Sequence, residues 1–294
     1  MTGTSKKNIK SDSSQPDGKS NSREHSSIVL PQASLVQSDI FPATPAAQLT
    51  DGILRVATYN IHKGVRGFGP TKRAEHDNLA LAIETFDADL IFLEEVRKLY
   101  NRAEMPAHLR LKEPQSDLLA PEGYISCYMT NAFNKTGQHG NALLSRWPVL
   151  EIKHEDISNS KLEQRGLLYS KVRIEDRFLH SIVAHLSLGQ RSRDWQIKRL
   201  LDFIEREIPE KEPVLVAGDF NDWNNKLTAP MLEAGFETFQ TPAAPTFPSF
   251  SPILRLDRIY VRGLEPVSSH VPKGKIWARM SDHLPLIGQF KWST

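Results

Sequence analysis

The sequence predicts an α/β fold in which mixed β-sheets pack together as a sandwich. Three observations carry that expectation. Short apolar runs that read as strands greatly outnumber helical segments, which argues against a strictly alternating barrel. Residues 89–96 and 214–219 are apolar without clean alternation, as strands buried on both faces are. Ile197, Leu200, Leu201 and Ile204 recur at helical spacing and mark an amphipathic helix that packs on an apolar surface.

In chain order, residues 1–50 are rich in Ser, Lys, Gln and Pro and show no period. Such a composition buries too little surface to offset ordering entropy, so a disordered tail is expected, followed by one domain over 51–294. Lys6, Lys7, Lys10 and Lys19 could touch an anionic surface, but Asp12, Asp17 and Glu24 dilute them, and a solubilising tail is the expectation. Residues 53–60 read as a strand. Leu79, Ala82, Ile83 and Phe86 follow helical spacing, and 89–96 then returns as a buried strand. Further strands are expected at 141–145, 166–174, 178–185, 214–219, 256–261 and 284–290. Residues 101–123 form an excursion without period, punctuated by Pro106, Pro114 and Pro121, and the four prolines of 241–252 suit a rigid surface loop.

Composition narrows the chemistry. With 39% apolar and 24% charged residues over 294, the chain has an ordinary globular balance. A formal charge of +2 gives no strong field that would favour nucleic acid over other anionic partners. The single cysteine, Cys127, excludes an internal disulfide and a Cys-based metal cage, and it reads as a small buried residue. No apolar run reaches the ~20 residues of a membrane span and no signal-type segment is evident, so a cytoplasmic home is expected.

Polar groups gather where strands end. Val214-Leu215-Val216-Ala217-Gly218 empties into Asp219, Phe220 and Asn221. Asp219 and Asn221 are two apart, so in extended chain their side chains leave one face. An acid there can hold or activate water, and an amide can donate to a phosphate oxygen. Asn60, Glu94-Glu95, His185, Asp257 and Asp282-His283 close or open other apolar runs. Each has an ordinary structural reading: a turn cap at Asn60, solvated or Arg97-paired glutamates, a core His185, an Asp257–Arg258 ion pair, a helix cap at Asp282. Taken together, two amides, two histidines and at least four carboxylates at strand ends are more economically collected in one pocket.

The ordered set resembles the endonuclease/exonuclease/phosphatase superfamily, the deoxyribonuclease I-like fold, over about residues 53–292. Asn60 ends the first strand, and Glu94-Glu95-Val96 stands where that family has Gln-Glu-Val, with Glu94 as a departure. Gly140-Asn141-Ala142-Leu143-Leu144-Ser145-Arg146, His185-Leu186, Gly218-Asp219-Phe220-Asn221, Asp257-Arg258-Ile259 and Ser281-Asp282-His283 follow in family order. His139-Gly140-Asn141, Gln164-Arg165-Gly166 and Leu254-Arg255-Leu256-Asp257 look like a bacterial phosphodiesterase-like subgroup, some members of which are linked with phospholipid metabolism. The resemblance implies a four-layer sandwich of two packed mixed β-sheets flanked by helices.

It also implies hydrolysis of a phosphoester by in-line attack of water with Mg²⁺ or Mn²⁺, and the oxygen-only ligands on offer agree with a hard cation. Glu95, Asp282 and Asn60 would serve the metal. Asp219 would be the base or water-orienting group, His283 a donor to the phosphoryl oxygen fixed by Asp257, and His185 a second donor. Asn221 and Asn60 would hold phosphate oxygens or metal-bound water, and Asn141 and Arg165 would bind substrate. His62 and Lys63 are candidates for the pocket rim, and His139, beside the Gly-Asn strand, could reach the site. Arg191 and Arg193 are expected to open a solvated helix, Trp147 to pack, and Met129, Phe133 and Trp223 to fill core. The expected function is a metal-dependent phosphodiesterase or phosphatase acting on a phospholipid-derived or other small phosphoester. The alternative is a nuclease on DNA or RNA. A non-catalytic binding module would need losses among the acids and histidines, and none is seen. Peripheral membrane contact is a further candidate partnership.

Overall fold

Period-two alternation sorts the strand side chains into separate apolar layers. A computed structural model describes residues 48–66, 73–98, 113–134, 137–160, 162–241, 244–274 and 276–293. Residues 1–47 of the expected tail and most of the 101–123 excursion lie outside these residues. The strands are β1 (Leu54–Asn60), β2 (Val65–Arg66), β3 (Arg73–Ala74), β4 (Leu90–Arg97), β5 (Ile125–Asn134), β6 (Gly137–Ser145), β7 (Val149–Asp156), β8 (Gly166–Ile174), β9 (Arg177–His185), β10 (Val214–Asp219), β11 (Asp257–Arg262), β12 (Leu264–His270) and β13 (Leu286–Trp292). The helices are α1 (His76–Glu84), α2 (Gln115–Leu119), α3 (Gln190–Glu207) and α4 (Thr228–Glu233).

A six-stranded sheet has the order β12-β13-β1-β4-β6-β5 and a five-stranded sheet the order β11-β10-β9-β8-β7. Both are mixed: β1 runs parallel to β4 and β9 parallel to β10, and the other pairings are antiparallel. Val56, Leu90, Phe92 and Leu143 of one sheet share a buried cluster with Leu168, Val183, Leu215 and Ile259 of the other. The intervening residues face outward. Ala57, Tyr59, Ile91 and Leu93 pack under Leu79, Ala82 and Ile83 of α1. Ile182, Val214 and Val216 pack under Ile197, Leu200, Phe203 and Ile204 of α3. Helix, sheet, sheet, helix is the expected four-layer sandwich.

All eight strands expected from the sequence form. Five more do not announce themselves: β5, β7 and β12, each at a sheet edge, and the two-residue strands β2 and β3, which pair with each other. The 101–123 excursion carries the short helix α2, an element its prolines concealed. Residues 244–252 do lie in loop. Cys127 is buried in the inter-sheet cluster and Trp147 packs there as well. Arg193 is a correction: the helix start is not solvated at that position. Its guanidinium is buried and donates to Ser187 O at 3.2 Å, to Leu188 O and to Gln190 Oε1 at 2.8 Å. It ties down the chain entering α3.

Candidate active site

The inward row of each strand changes character at one end of the sandwich. Leu54 and Val56 of β1 continue to Thr58 and Asn60. Leu90 and Phe92 of β4 continue to Glu94. Val183 of β9 is followed two residues on by His185, and Leu215 and Ala217 of β10 by Asp219. In β11, which runs the other way, Asp257 precedes Ile259 and Val261. Strand period alone therefore aims six polar side chains into the same gap.

Asp219 is the hub, and it is buried. Its Oδ2 accepts from Asn60 Nδ2 at 3.1 Å and lies 3.5 Å from His185 Nε2 and 3.6 Å from His283 Nε2. Its Oδ1 accepts from the Asn221 backbone N–H at 2.9 Å. Asn221, at φ +49°, turns back so that its amide donates to Leu186 O at 3.0 Å. Behind His283, Nδ1 is 2.9 Å from Asp257 Oδ2, which orients the ring. Gly218 permits this closeness: at φ +150°, a Cβ there would come within 1.8 Å of Ala184 O.

Glu94 and Glu95 are neighbours with different surroundings. Glu94 is fully buried and accepts from Thr58 Oγ1 at 3.1 Å. A bulge interrupts β4 between Leu93 and Val96, and Glu95 there has φ +57°. The bulge re-aims Glu95, whose Oε2 meets Lys63 Nζ at 3.0 Å. From the same short turn, His62 Nδ1 approaches Asp282 Oδ2 at 3.4 Å. Ser281 Oγ donates to Asn60 O at 2.6 Å and joins the last strand's entry to the first strand's end.

The two central imidazoles are pushed apart. Burial works against the His283 charge, but Asp257 and then Asp219 outweigh it and raise His283 to about 10. His185 is held well below its ordinary value by burial and by the Arg165 charge. One ring is thus an imidazolium and the other a neutral imidazole at neutral pH. Burial raises Asp219 to about 6 despite His283, with Asp257 adding to the rise. Glu94 is raised well above the carboxylate range by burial, then by Asp257 and Asp219. Burial would also raise Glu95, but Lys63, His185 and His62 prevail and bring it to about 2.

The arrangement differs from expectation at several residues. The Asn60 and Asn221 amide groups point at Asp219 and at backbone, so here they position the acid. Asn141 is fully buried and donates to Gly166 O at 3.0 Å and Val183 O at 3.2 Å, bridging the two sheets. Arg165 reaches Leu186 O at 3.3 Å and Glu163 Oε1 at 3.1 Å while standing near His185. Asp257 pairs with His283, not Arg258, whose guanidinium goes to Asn225. Phe133 and Trp223, expected in the core, are 66% and 41% exposed. Sequence reasoning missed Thr58, although it lies two residues before Asn60. It also missed Phe247, whose ring centroid is 4.9 Å from that of His283.

The donor set fits a hard divalent cation. Glu94, Asp219 and Asp257 crowd three buried carboxyl groups together, and Glu94 Oε2 and Asp257 Oδ1 are buried without a hydrogen-bond partner. Ligand atoms of Asp219, Asp257 and His283 lie within 4.8 Å of one another and could bind a metal. Both nitrogens of His283 already face carboxylates, however. That geometry suits an oriented proton donor better than a ligand. Glu95 and Asp282 are the more open acids, and they face Lys63 and His62.

Comparison with known proteins agrees with this geometry. Residues 57–283 match the Endonuclease/Exonuclease/phosphatase family. The chain is 36% identical over 242 residues to the Escherichia coli "Uncharacterized protein YbhP", covering 79% of this chain and 94% of that protein. It is 28% identical over 198 residues to Sphingomyelinase C of Bacillus cereus, covering 60% of this chain and 58% of that protein. Among solved structures, the endonuclease/exonuclease/phosphatase of Beutenbergia cavernae superposes with a TM-score of 0.67 at 21% identity, over 82% of this chain and 72% of that one. D. rerio TDP2 complexed with single-strand DNA product superposes with a TM-score of 0.60 at 19% identity, over 82% and 100%. At such identities the structural likeness establishes the fold alone.

Proposed function

From the premise that this chain belongs to the endonuclease/exonuclease/phosphatase family, a family of phosphoesterases, we propose that it is a Mg²⁺- or Mn²⁺-dependent hydrolase of phospholipid-derived or other small phosphoesters. The observation that carries the reading is the convergence of Asn60, His185, Asn221 and His283 on Asp219. An acid raised towards neutrality by burial is suited to accept a proton from attacking water. Asn60 and Asn221 hold that carboxylate in place. The His283 imidazolium, fixed by Asp257, donates to the phosphoryl oxygen on which charge grows. Neutral His185 supplies a second contact to phosphate or leaving group. Glu95, Asp282 and Asn60 would hold the cation, which as a Lewis acid would polarise the phosphoester.

A panel of phosphodiester, phosphomonoester, phospholipid and plasmid DNA substrates, run with Mg²⁺, tests the proposal. Turnover of the diester or phospholipid is expected. Turnover of DNA alone would transfer the protein to the nuclease reading, and turnover of none would remove the hydrolase reading.

A further inference from the structure

Strand direction decides which connections surround the site. β1, β4, β9 and β10 all end at the polar mouth, and β6, β8, β11 and β13 run the opposite way and begin there. The β5–β6 hairpin, the β7–β8 connection, the β9–α3 entry, the chain after β10, the loop before β11 and the β12–β13 connection therefore rim the mouth. Of the six large apolar side chains more than 60% exposed among the described residues, five stand on these connections and one, Leu81, on α1. On one side are Phe133, Leu162 and Leu188, at 66%, 99% and 61% exposure. Across the site are Trp223, Phe250 and Ile253, at 41%, 80% and 71%. The opposite end offers only Leu150 and Phe178 among the described residues, each less than half exposed.

We propose that these two apolar banks dock the protein on a lipid bilayer, so that its substrates are phosphoesters held in the membrane surface. The proposal rests on the phosphoesterase reading and names the substrate class of that same site. Single exposed apolar residues are ordinary, but six grouped around one site are not. The banks are tied to the site. Phe133 N donates to Gln164 Oε1 and Leu188 N to Glu163 Oε1, each at 3.0 Å, so three loops are joined beside Arg165. Opposite, Trp223 packs edge-on against Phe247, the ring beside His283, and Ile253 N donates to Phe247 O at 2.9 Å.

The distribution selects the partner. The apolar tips sit on separate loops with the acidic site between them, so a protein covering all six would also block the site. A bilayer receives separate tips into its interface and presents phosphate at headgroup depth. Arg191, Lys226 and Lys273 are exposed on the same rim and can reach headgroup phosphates, with exposed Asp156, Asp194 and Asp282 alternating among them to suit a zwitterionic surface. Nucleic acid would call instead for a continuous basic groove with aromatic platforms.

The test is co-sedimentation of the full chain with phosphatidylcholine vesicles, with and without phosphatidylserine, in chelator so that no lipid is cleaved. A soluble phosphodiester, bis(p-nitrophenyl) phosphate, is assayed in parallel with Mg²⁺. The variant carries Leu162→Ser, Leu188→Ser, Phe250→Ser and Ile253→Ser, all exposed and outside the catalytic group. Vesicle binding should fall roughly tenfold or more in the variant, with soluble-ester turnover within about twofold of the parent protein. Parent protein that ignores both vesicles, or a variant that binds them equally well, overturns the membrane proposal even if the soluble ester is hydrolysed. Binding of a single-stranded oligonucleotide that the same substitutions abolish would overturn it as well. Vesicle binding lost in the variant, with no turnover by the parent protein of either the soluble ester or vesicle phospholipid under Mg²⁺, keeps the docking surface and overturns the hydrolase reading.

Discussion

The two ends of the inter-sheet layer are made by the same strands at the same period, yet they do different work. At one end Leu54, Leu90, Leu179, Leu215 and Val261 close a dry interface. At the other, the same inward rows present Asn60, Glu94, His185, Asp219 and Asp257. The sandwich is held by the first end. The second can keep several charged groups out of water because the first fixes the strands that carry them. The contrast teaches where to look in such a fold: stability resides where inward rows are apolar, and chemistry where they stop being so.

Substitutions at the two ends should therefore separate rate from stability. The largest effect is expected at the polar end. His283→Ala should reduce turnover per folded molecule by ~10²–10⁴, far beyond the stability it loses by leaving Asp219 and Asp257 without their buried cation. Parallel rate and thermal-melt measurements check this, and turnover within a few-fold of the parent protein would remove His283 from the mechanism. At the dry end the pattern should reverse. Leu90→Ala should lose about 2–5 kcal/mol in denaturant titrations, with turnover per folded molecule retained. A selective loss of rate there would contradict the division between the two ends.

A smaller effect sharpens the boundary. Glu94 sits where the row turns from Phe92 to acid. Burial and its acidic neighbours raise its carboxyl, so the folded chain keeps a proton that the unfolded chain releases. In cation-free protein that stabilisation is complete below the ordinary value of 4.5 and is lost as pH rises towards the folded value. Glu94→Gln keeps an acceptor for Thr58 and carries no charge. It should be more stable than the parent by roughly 1–3 kcal/mol at neutral pH, and the difference should shrink as pH falls towards 4.5. A difference that does not change with pH would mean that Glu94 is not a protonated buried acid.

Much of this was legible in the sequence, and the losses have physical causes. Strands buried on both faces write long apolar runs, and β10 was found at its observed bounds. Of the missed strands, β5, β7 and β12 lie at sheet edges, where one side is solvated and the apolar run is not required, and β2 and β3, at two residues each, are too short to write a pattern. β12 even contains Pro266, which an edge strand tolerates. At the site, Asp219, His283, His185 and Asp257 were readable because each continues an apolar strand or stands beside one. The separate environments of Glu94 and Glu95 were not, because a bulge suspends the period that would distinguish them. Phe247 was hidden in the proline-rich loop. Long-range contacts bring it in: Leu284 N donates to Thr246 O at 2.8 Å and Ser249 N to Asp282 O at 2.7 Å. The exposure of Phe133 and Trp223 contradicts core filling, since composition alone does not distinguish a rim aromatic from a buried one.

The most direct measurement of the central claim is phosphodiester turnover by chelator-stripped protein as Mg²⁺ is restored, with Asp219→Ala alongside. Turnover should appear with Mg²⁺ in the parent protein and stay ~10²–10⁴ lower in the variant at every concentration. Equal rates with and without the cation, or equal rates in the two proteins, would contradict it.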